Sequence, residues 1–131
     1  HALPHGTSHE YANGILDDQA RGVFHGRIHV HKGADKTDAR QTNKNLLLSG
    51  DATVDTKPQL EIYADDVKCT HGATVGQMNP EQIFYLRARG LSEESARRMI
   101  MHAFAGEIIE RIACEPVREE LDRLMQNRLE E

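Results

Sequence analysis

Tryptophan is absent from the chain, and Tyr and Phe contribute three residues each. Any core must therefore be built from aliphatic side chains. Cysteine is nearly absent too: Cys69 and Cys114 lie far apart and form no CxxC pair. That excludes a disulfide-stapled scaffold and fits two reduced thiols. No apolar run reaches the ~18 residues that a membrane-spanning helix needs. A basic surface is also missing. Sixteen Lys+Arg stand against 21 Asp+Glu, giving a net charge of −5, with a pI near 5.9. Electrostatic binding of nucleic acid is not expected from such a balance. The chain opens on His1 rather than Met and shows no basic-then-apolar leader. We therefore expect a C-terminal fragment of a longer protein. Its 131 residues suit one domain, or one domain with a small appendage.

What is present changes character near residue 79. Up to that point there are eight Gly, seven His and eight Lys+Arg; beyond it there are two Gly, one His, and eight Arg with no Lys. Glycine, Asp, Thr and short apolar runs in front predict strands and turns; Glu, Arg, Leu, Ile, Met and Ala behind predict helices. The expected division is therefore strands over 1–78 and a helical domain over 79–131.

In the front part, Val23 to Val30, Leu46 to Leu48, Gln59 to Tyr63 and Val67 to His71 read as strands. Turn signals separate them: His31-Lys32-Gly33, Ser49-Gly50-Asp51, Lys57-Pro58 and Ala64-Asp65-Asp66. Ala52-Thr53-Val54 recurs as Ala73-Thr74-Val75. Short strands repeating at a period of about 20 residues point to a parallel β-helix, whose open end needs covering. A β-sandwich or a cupin-like barrel would give similar strands with Gly turns.

The helices are more distinct. Asn79-Pro80-Glu81-Gln82 offers a cap with Pro at the first helical position, and Gly90 ends that helix. Its apolar stripe is Ile83, Phe84 and Leu86. Ser92 caps a second helix running to about Ala113, apolar on more than one side through Met101, Phe104 and Ile108. A helix of that kind packs against two things: the neighbouring helices on one side and, on the other, a partner or the end coil of the β-helix. A third starts near Pro116 with Val117, Leu121 and Leu124 on one face.

Candidate chemistry begins with the histidines. His29 and His31 alternate on a strand and share a side, as a metal-chelating HxH pair does. Asp35 stands where a cupin-type motif has Glu, and no second motif follows, so two surface histidines is the competing reading. His1, His5 and His9 belong to a polar lead segment expected at the surface. There is no nucleophile elbow, P-loop or dinucleotide fingerprint. Asp65 and Asp66 resemble paired acids, but neighbours on a strand face opposite ways, which favours a turn. Cys69 and His71, two apart, share a strand face and are suitable ligands for iron, zinc or copper. The bland alternative is a buried thiol beside a satisfied histidine.

Three stretches carry a resemblance: Gln41 to Ser49, Asp55 to Gly76, and Phe84-Tyr85-Leu86-Arg87-Ala88-Arg89-Gly90. Together they strongly resemble the SufB/SufD family of iron–sulfur cluster assembly scaffold proteins. The likeness extends over roughly positions 16 to 113. His71-Gly72-Ala73-Thr74-Val75-Gly76 is similar to the SufD branch of that family. The resemblance implies the end of a right-handed parallel β-helix followed by a small helical domain. It implies a cytoplasmic, non-catalytic subunit that assembles with SufB and the ATPase SufC, with a homodimer when the chain is alone. It places His71 at the SufB contact where a nascent cluster or its iron is held, with Cys69 beside it. The helical domain, through Phe84, Met101, Phe104 and Ile108, would dock the ATPase. No tightly bound cofactor is expected in isolation, only a transient iron–sulfur cluster in the complex. The alternative is a stand-alone β-helix or cupin-like metalloenzyme using His29 and His31, which would hold stoichiometric metal when purified.

Overall fold

A computed structural model describes residues 1–130, which divide into two compact units after Gly76. The first holds five strands: β1 (Thr7–Leu16), β2 (Arg21–Val30), β3 (Asp38–Leu47), β4 (Thr53–Ile62) and β5 (Lys68–Gln77). The second holds α1 (Pro80–Arg87), α2 (Glu93–Ile109) and α3 (Glu115–Glu130). The architecture is mixed β/α with parallel sheets.

Successive strands alternate between two sheets, ordered β1-β3-β5 and β2-β4. Thr7 pairs with Asp38 and Arg21 with Thr53, both in parallel register, so each ladder joins a strand to the next but one. The spacing between Ala52-Thr53-Val54 and its recurrence is therefore shorter than the structural period. Ala52-Thr53-Val54 runs into the start of β4 while Ala73-Thr74-Val75 lies inside β5, strands of different sheets. Their likeness reflects the same small and β-branched preference, not superposed positions.

Side-chain alternation makes the core. On β2, Gly26, Ile28 and Val30 are buried while Arg21, Val23, His25 and Arg27 are exposed. Ile28, Val30, Ala34 and Ala39 form the apolar cluster, with Leu60, Ala64, Val67 and Cys69 packed against it. The central strand β3 buries a polar row as well: Gln41, Asn43 and Asn45 follow Ala39 at every second residue. Their amides are hydrogen-bonded inside the fold. Asn43 Nδ2 donates to Ala12 O at 3.1 Å, and Asn45 Nδ2 donates to Asn43 Oδ1 at 2.7 Å and to Thr74 O at 3.3 Å.

One expectation fails locally. Lys57-Pro58, read as a turn, lies inside β4, where Pro58 faces Gly26. β4 has a partner on one side only in its sheet, so a residue without an N–H is tolerated there. The lead segment holding His1, His5 and His9 gives way to β1 from Thr7 onward. The turn signals at Gly33, Gly50 and Asp65-Asp66 do fall between strands, Gly33 with a φ of +83°.

The helix caps follow the sequence closely. The Asn79 side chain accepts from Glu81 N at 2.8 Å, and Ser92 Oγ accepts from Ser95 N at 3.1 Å. Gly90, at φ +95°, follows α1. α2 ends at Ile109 rather than about Ala113. Beyond it Arg111 N donates to Ile108 O and Ile112 N to Ile109 O, tighter bonds that close the helix before α3. No helix among the described residues is long and apolar enough to cross a membrane.

Candidate functional site at strand β5

Strand β5 carries Cys69 and His71 on one face. Its register follows from one bond. Lys68 N donates to Thr37 O at 2.8 Å, as Asp38 N donates to Gly6 O at 2.9 Å where Asp38 pairs with Thr7. In the ladder β5 therefore sets Lys68 opposite Asp38, Cys69 opposite Ala39 and His71 opposite Gln41. Cys69 is half-buried and packs on the cluster that contains Ala39. His71 is exposed, so its ring is reachable from solvent. Gly72 and Gly76 have open space where a Cβ would go, which leaves room for another surface to approach.

Beneath His71 lies a group that the sequence did not single out. Gln41 Nε2 donates to Glu10 Oε2 at 2.6 Å, and Glu10 pairs with Gln41 across β1 and β3. Glu10, Gln41 and His71 thus occupy one column across the three-stranded sheet. A Cβ on Gly26 would overlap the amide atoms of Gln41. The glycine is what lets the glutamine lie across the interior against β2. Glu10 and Gln41 lie 31 positions apart, and no local pattern in the sequence joins them.

The other candidates sit elsewhere. The His29 and His31 rings lie side by side, centroids 4.4 Å apart, with Tyr63 5.3 Å from His29. His29 Nδ1 lies 3.0 Å from Glu61 Oε2, whose other oxygen is 3.5 Å from Arg27. A carboxylate partner requires that nitrogen to carry the proton. Among the described residues no three His, Cys, Asp or Glu side chains are grouped so as to hold a metal ion. Asp65 and Asp66 occupy the bend before β5, and Asp66 is ion-paired to Lys36. That carboxylate raises the Lys36 ammonium pKa above its ordinary value, first through the hydrogen bond and then through charge.

In the helical unit, Phe84 is 75% exposed on α1, and Arg89 stacks its guanidinium 3.9 Å over the neighbouring Tyr85 ring. Met101, Phe104 and Ile108 are half-buried on α2, whose only fully buried residues are Ala96 and Ala105. Val117, Leu121 and Leu124 line an exposed stripe of α3. His102 Nε2, which sequence reasoning passed over, meets Asp122 Oδ1 at 2.9 Å and ties α2 to α3.

The family model for the SufBD core domain of the SUF iron–sulfur cluster assembly system matches residues 1–104. The chain belongs to the SufBD core family. SufBD relatives include the iron–sulfur cluster assembly protein SufD of Escherichia coli, 54% identical over 107 residues, 82% of this chain and 25% of that protein. A SufBD family protein of Synechocystis is 47% identical over 83% of this chain and 24% of its own length. The chloroplastic protein ABCI7 of Arabidopsis thaliana is 39% identical over 89% of this chain and 25% of its own. The chain thus spans about a quarter of the length of the curated relatives it matches.

Proposed function

We propose that the chain is the C-terminal part of a SufD-type, non-catalytic subunit of a cytoplasmic scaffold formed with SufB and the ATPase SufC. What supports this most is the 54% identity to a protein named SufD, within a family match that includes β5 and its His71. On this reading the strand unit is the end of a right-handed parallel β-helix. The near-constant spacing of ladder partners in both sheets and the alternation between sheets support that geometry. His71 faces SufB and helps to hold iron or a nascent cluster as cargo. A neutral imidazole can ligate iron through one nitrogen, or orient a partner's thiol through a hydrogen bond. Cys69 has a packing role first, since its thiol side lies on the apolar cluster. No cofactor stays bound to the subunit alone, and ATP hydrolysis belongs to the partner.

The helical unit docks the ATPase through Phe84 together with Met101, Phe104 and Ile108. Support comes from the exposed ring of Phe84 and from an α2 that leaves these apolar side chains only half covered. A homodimer forms when partners are missing.

The test is His71→Ala in the full-length protein. Association with SufB and SufC should be unchanged while cluster assembly in the cell falls sharply. Normal assembly by that variant, or failure of the full-length protein to co-purify with an ATPase, refutes the proposal.

A further inference from the structure

The outer face of β2 and β4 carries a pair of imidazoles that the site at β5 does not use. Ile28 and Val30 are buried, so His29 between them points outward. His31, one residue past the strand, shares its side, and the two ring centroids are 4.4 Å apart. Across the ladder His29 pairs with Glu61, and its Nδ1 lies 3.0 Å from Glu61 Oε2. A carboxylate only accepts, so Nδ1 carries the proton. The lone pair of the neutral ring is then on Nε2, the nitrogen turned away from Glu61. Glu61 is held in its turn, with Oε1 3.5 Å from the Arg27 guanidinium. An anchored carboxylate behind one ring nitrogen is the arrangement that orients metal-ligating histidines. Among the described residues no hydrogen bond or ion pair engages the His31 ring, so its nitrogens are uncommitted. His25, on the same face, is the contrast. Its ring meets the neutral amide of Gln59 at 2.9 Å, and the residue two positions on is Arg27 rather than a second imidazole.

We propose that His29 and His31 form an exchangeable site for a divalent transition-metal ion, with Glu61 as the positioning residue for His29. Neutral imidazole nitrogens select Zn2+ or Cu2+ over Mg2+ and Ca2+, which require oxygen ligands. Bonds of about 2.0–2.1 Å set two nitrogens of one tetrahedral ion about 3.3 Å apart. Rings with centroids 4.4 Å apart reach that separation by small rotations, because His31 is exposed and His29 half-buried. Among the described residues no third His, Cys, Asp or Glu side chain joins them, so water fills the remaining positions. Two protein ligands hold an ion in exchange with solution rather than as a resident cofactor, which agrees with a subunit that keeps none when alone. Glu61 strengthens the site without touching the ion. It fixes the tautomer of His29 and offsets part of the charge that the ring takes on when it binds a cation. The Tyr63 ring, 5.3 Å from His29, flanks the pair. The site lies on the β2-β4 sheet, whereas His71 belongs to the β1-β3-β5 sheet, so an ion here does not compete for the groups at β5.

The experiment uses the full-length protein, stripped of metal with a chelator and held above the ordinary imidazole pKa. Zn2+ is titrated by calorimetry, and Cu2+ is added for pulsed electron paramagnetic resonance, which counts coordinated imidazoles. The wild type should show a Zn2+ binding event in the micromolar range that both His29→Ala and His31→Ala remove. Zn2+ held by other histidines appears equally in wild type and variants and cancels in the comparison. The Cu2+ signal at this site should report two imidazoles in the wild type and lose that pair in either variant. Glu61→Gln keeps both rings but removes the charge behind His29, so affinity should fall about 10-fold or more with the two-imidazole signal retained. His25→Ala, on the same face, should bind as the wild type does. These side chains are exposed or half-buried, so the variants keep the fold, which circular dichroism verifies. A wild type without an event that His29→Ala and His31→Ala both remove overturns the proposal. So does an equal loss in His25→Ala, which marks a diffuse histidine surface, or a Cu2+ signal of one imidazole. Wild-type affinity in Glu61→Gln overturns the positioning role of the carboxylate.

Discussion

Gly26→Ala is the sharpest probe of the strand interior, because one methyl group meets one side chain. The new Cβ would overlap three atoms of the Gln41 amide, well inside van der Waals contact. A flexible side chain would ordinarily swing away. Gln41 is 1% exposed and held by Glu10 at 2.6 Å, so it can move only by giving up that bond. Losing a hydrogen bond to a charged group costs about 1.5–3 kcal/mol. Forcing a methyl into a filled interior adds about 1–3 kcal/mol. Replacing Gly in a strand returns about 0.5–1 kcal/mol of backbone entropy. The net expectation is a loss of about 2–5 kcal/mol, measured by urea denaturation with circular dichroism and an unchanged m-value. The cause can be isolated by a double-mutant cycle. Gln41→Ala removes the obstructing amide, so adding Gly26→Ala to it should cost far less than in the wild type, a coupling of about 1–3 kcal/mol. A Gly26→Ala protein within about 0.5 kcal/mol of wild type, or strictly additive mutations, would refute the packing argument.

Cys69→Ser places a hydroxyl against the Ile28 and Val30 cluster and should destabilise the strand unit by about 1–2 kcal/mol; cluster assembly should fall much less than in His71→Ala, as measured by activity of an iron–sulfur reporter enzyme. Phe84→Asp changes a side chain that is 75% exposed, so melting should stay within about 0.5 kcal/mol of wild type while capture of the ATPase partner is lost. Intact capture would remove Phe84 from the docking surface. Arg123 holds the Glu120 carboxyl below its ordinary pKa, mainly through hydrogen bonds of 2.6 and 2.9 Å. A depressed folded-state pKa means that the pair's contribution is complete above the usual carboxylate range and vanishes as pH falls through the lowered value. Helicity of α3 should therefore weaken slightly on acidification, and Glu120→Gln should flatten that dependence; both residues are solvent-exposed, so added salt should shrink the effect.

The sequence was most legible where local chemistry decides structure. Asn79, Pro80, Gly90 and Ser92 mark helix ends through capping bonds and a positive φ that need no tertiary context. Val23 to Val30 of β2 and Gln59 to Ile62 of β4 were legible as strands, where Ile28 and Val30 alternate with Arg27 and His29, and Leu60 and Ile62 with Gln59 and Glu61. Of β3 only the end at Leu46 and Leu47 was legible, because its inward row continues from Ala39 into Gln41, Asn43 and Asn45. A periodicity read from hydrophobicity cannot see a buried face made of amides that bond one another. β1 was hidden for a related reason, since Thr7 to Asn13 carries mixed polarity on both faces. Pro58 misled in the opposite direction, as a breaker that an edge strand accommodates. At the site, Cys69 and His71 could be placed on one face from their spacing alone. Glu10 and Gln41 could not be joined to them, because a parallel register that skips the intervening strand leaves no local trace.

That register governs how the chain can acquire its structure in time. Each strand's ladder partner is the next strand but one, and the strand between them belongs to the other sheet. No two consecutive strands can zip into a hairpin, the local event that closes in about 1–10 μs. During synthesis at about 5–20 residues per second, β1 must wait roughly 2–6 s for β3 to emerge, carrying an unpaired edge throughout. The helices close each bond within one turn and face no such delay. Parallel pairing over this separation is slow even after release. Yield of the protein in cells should therefore be set by conditions that protect a nascent strand edge, such as low temperature or a holding chaperone, and hardly by the helix propensity of the second unit.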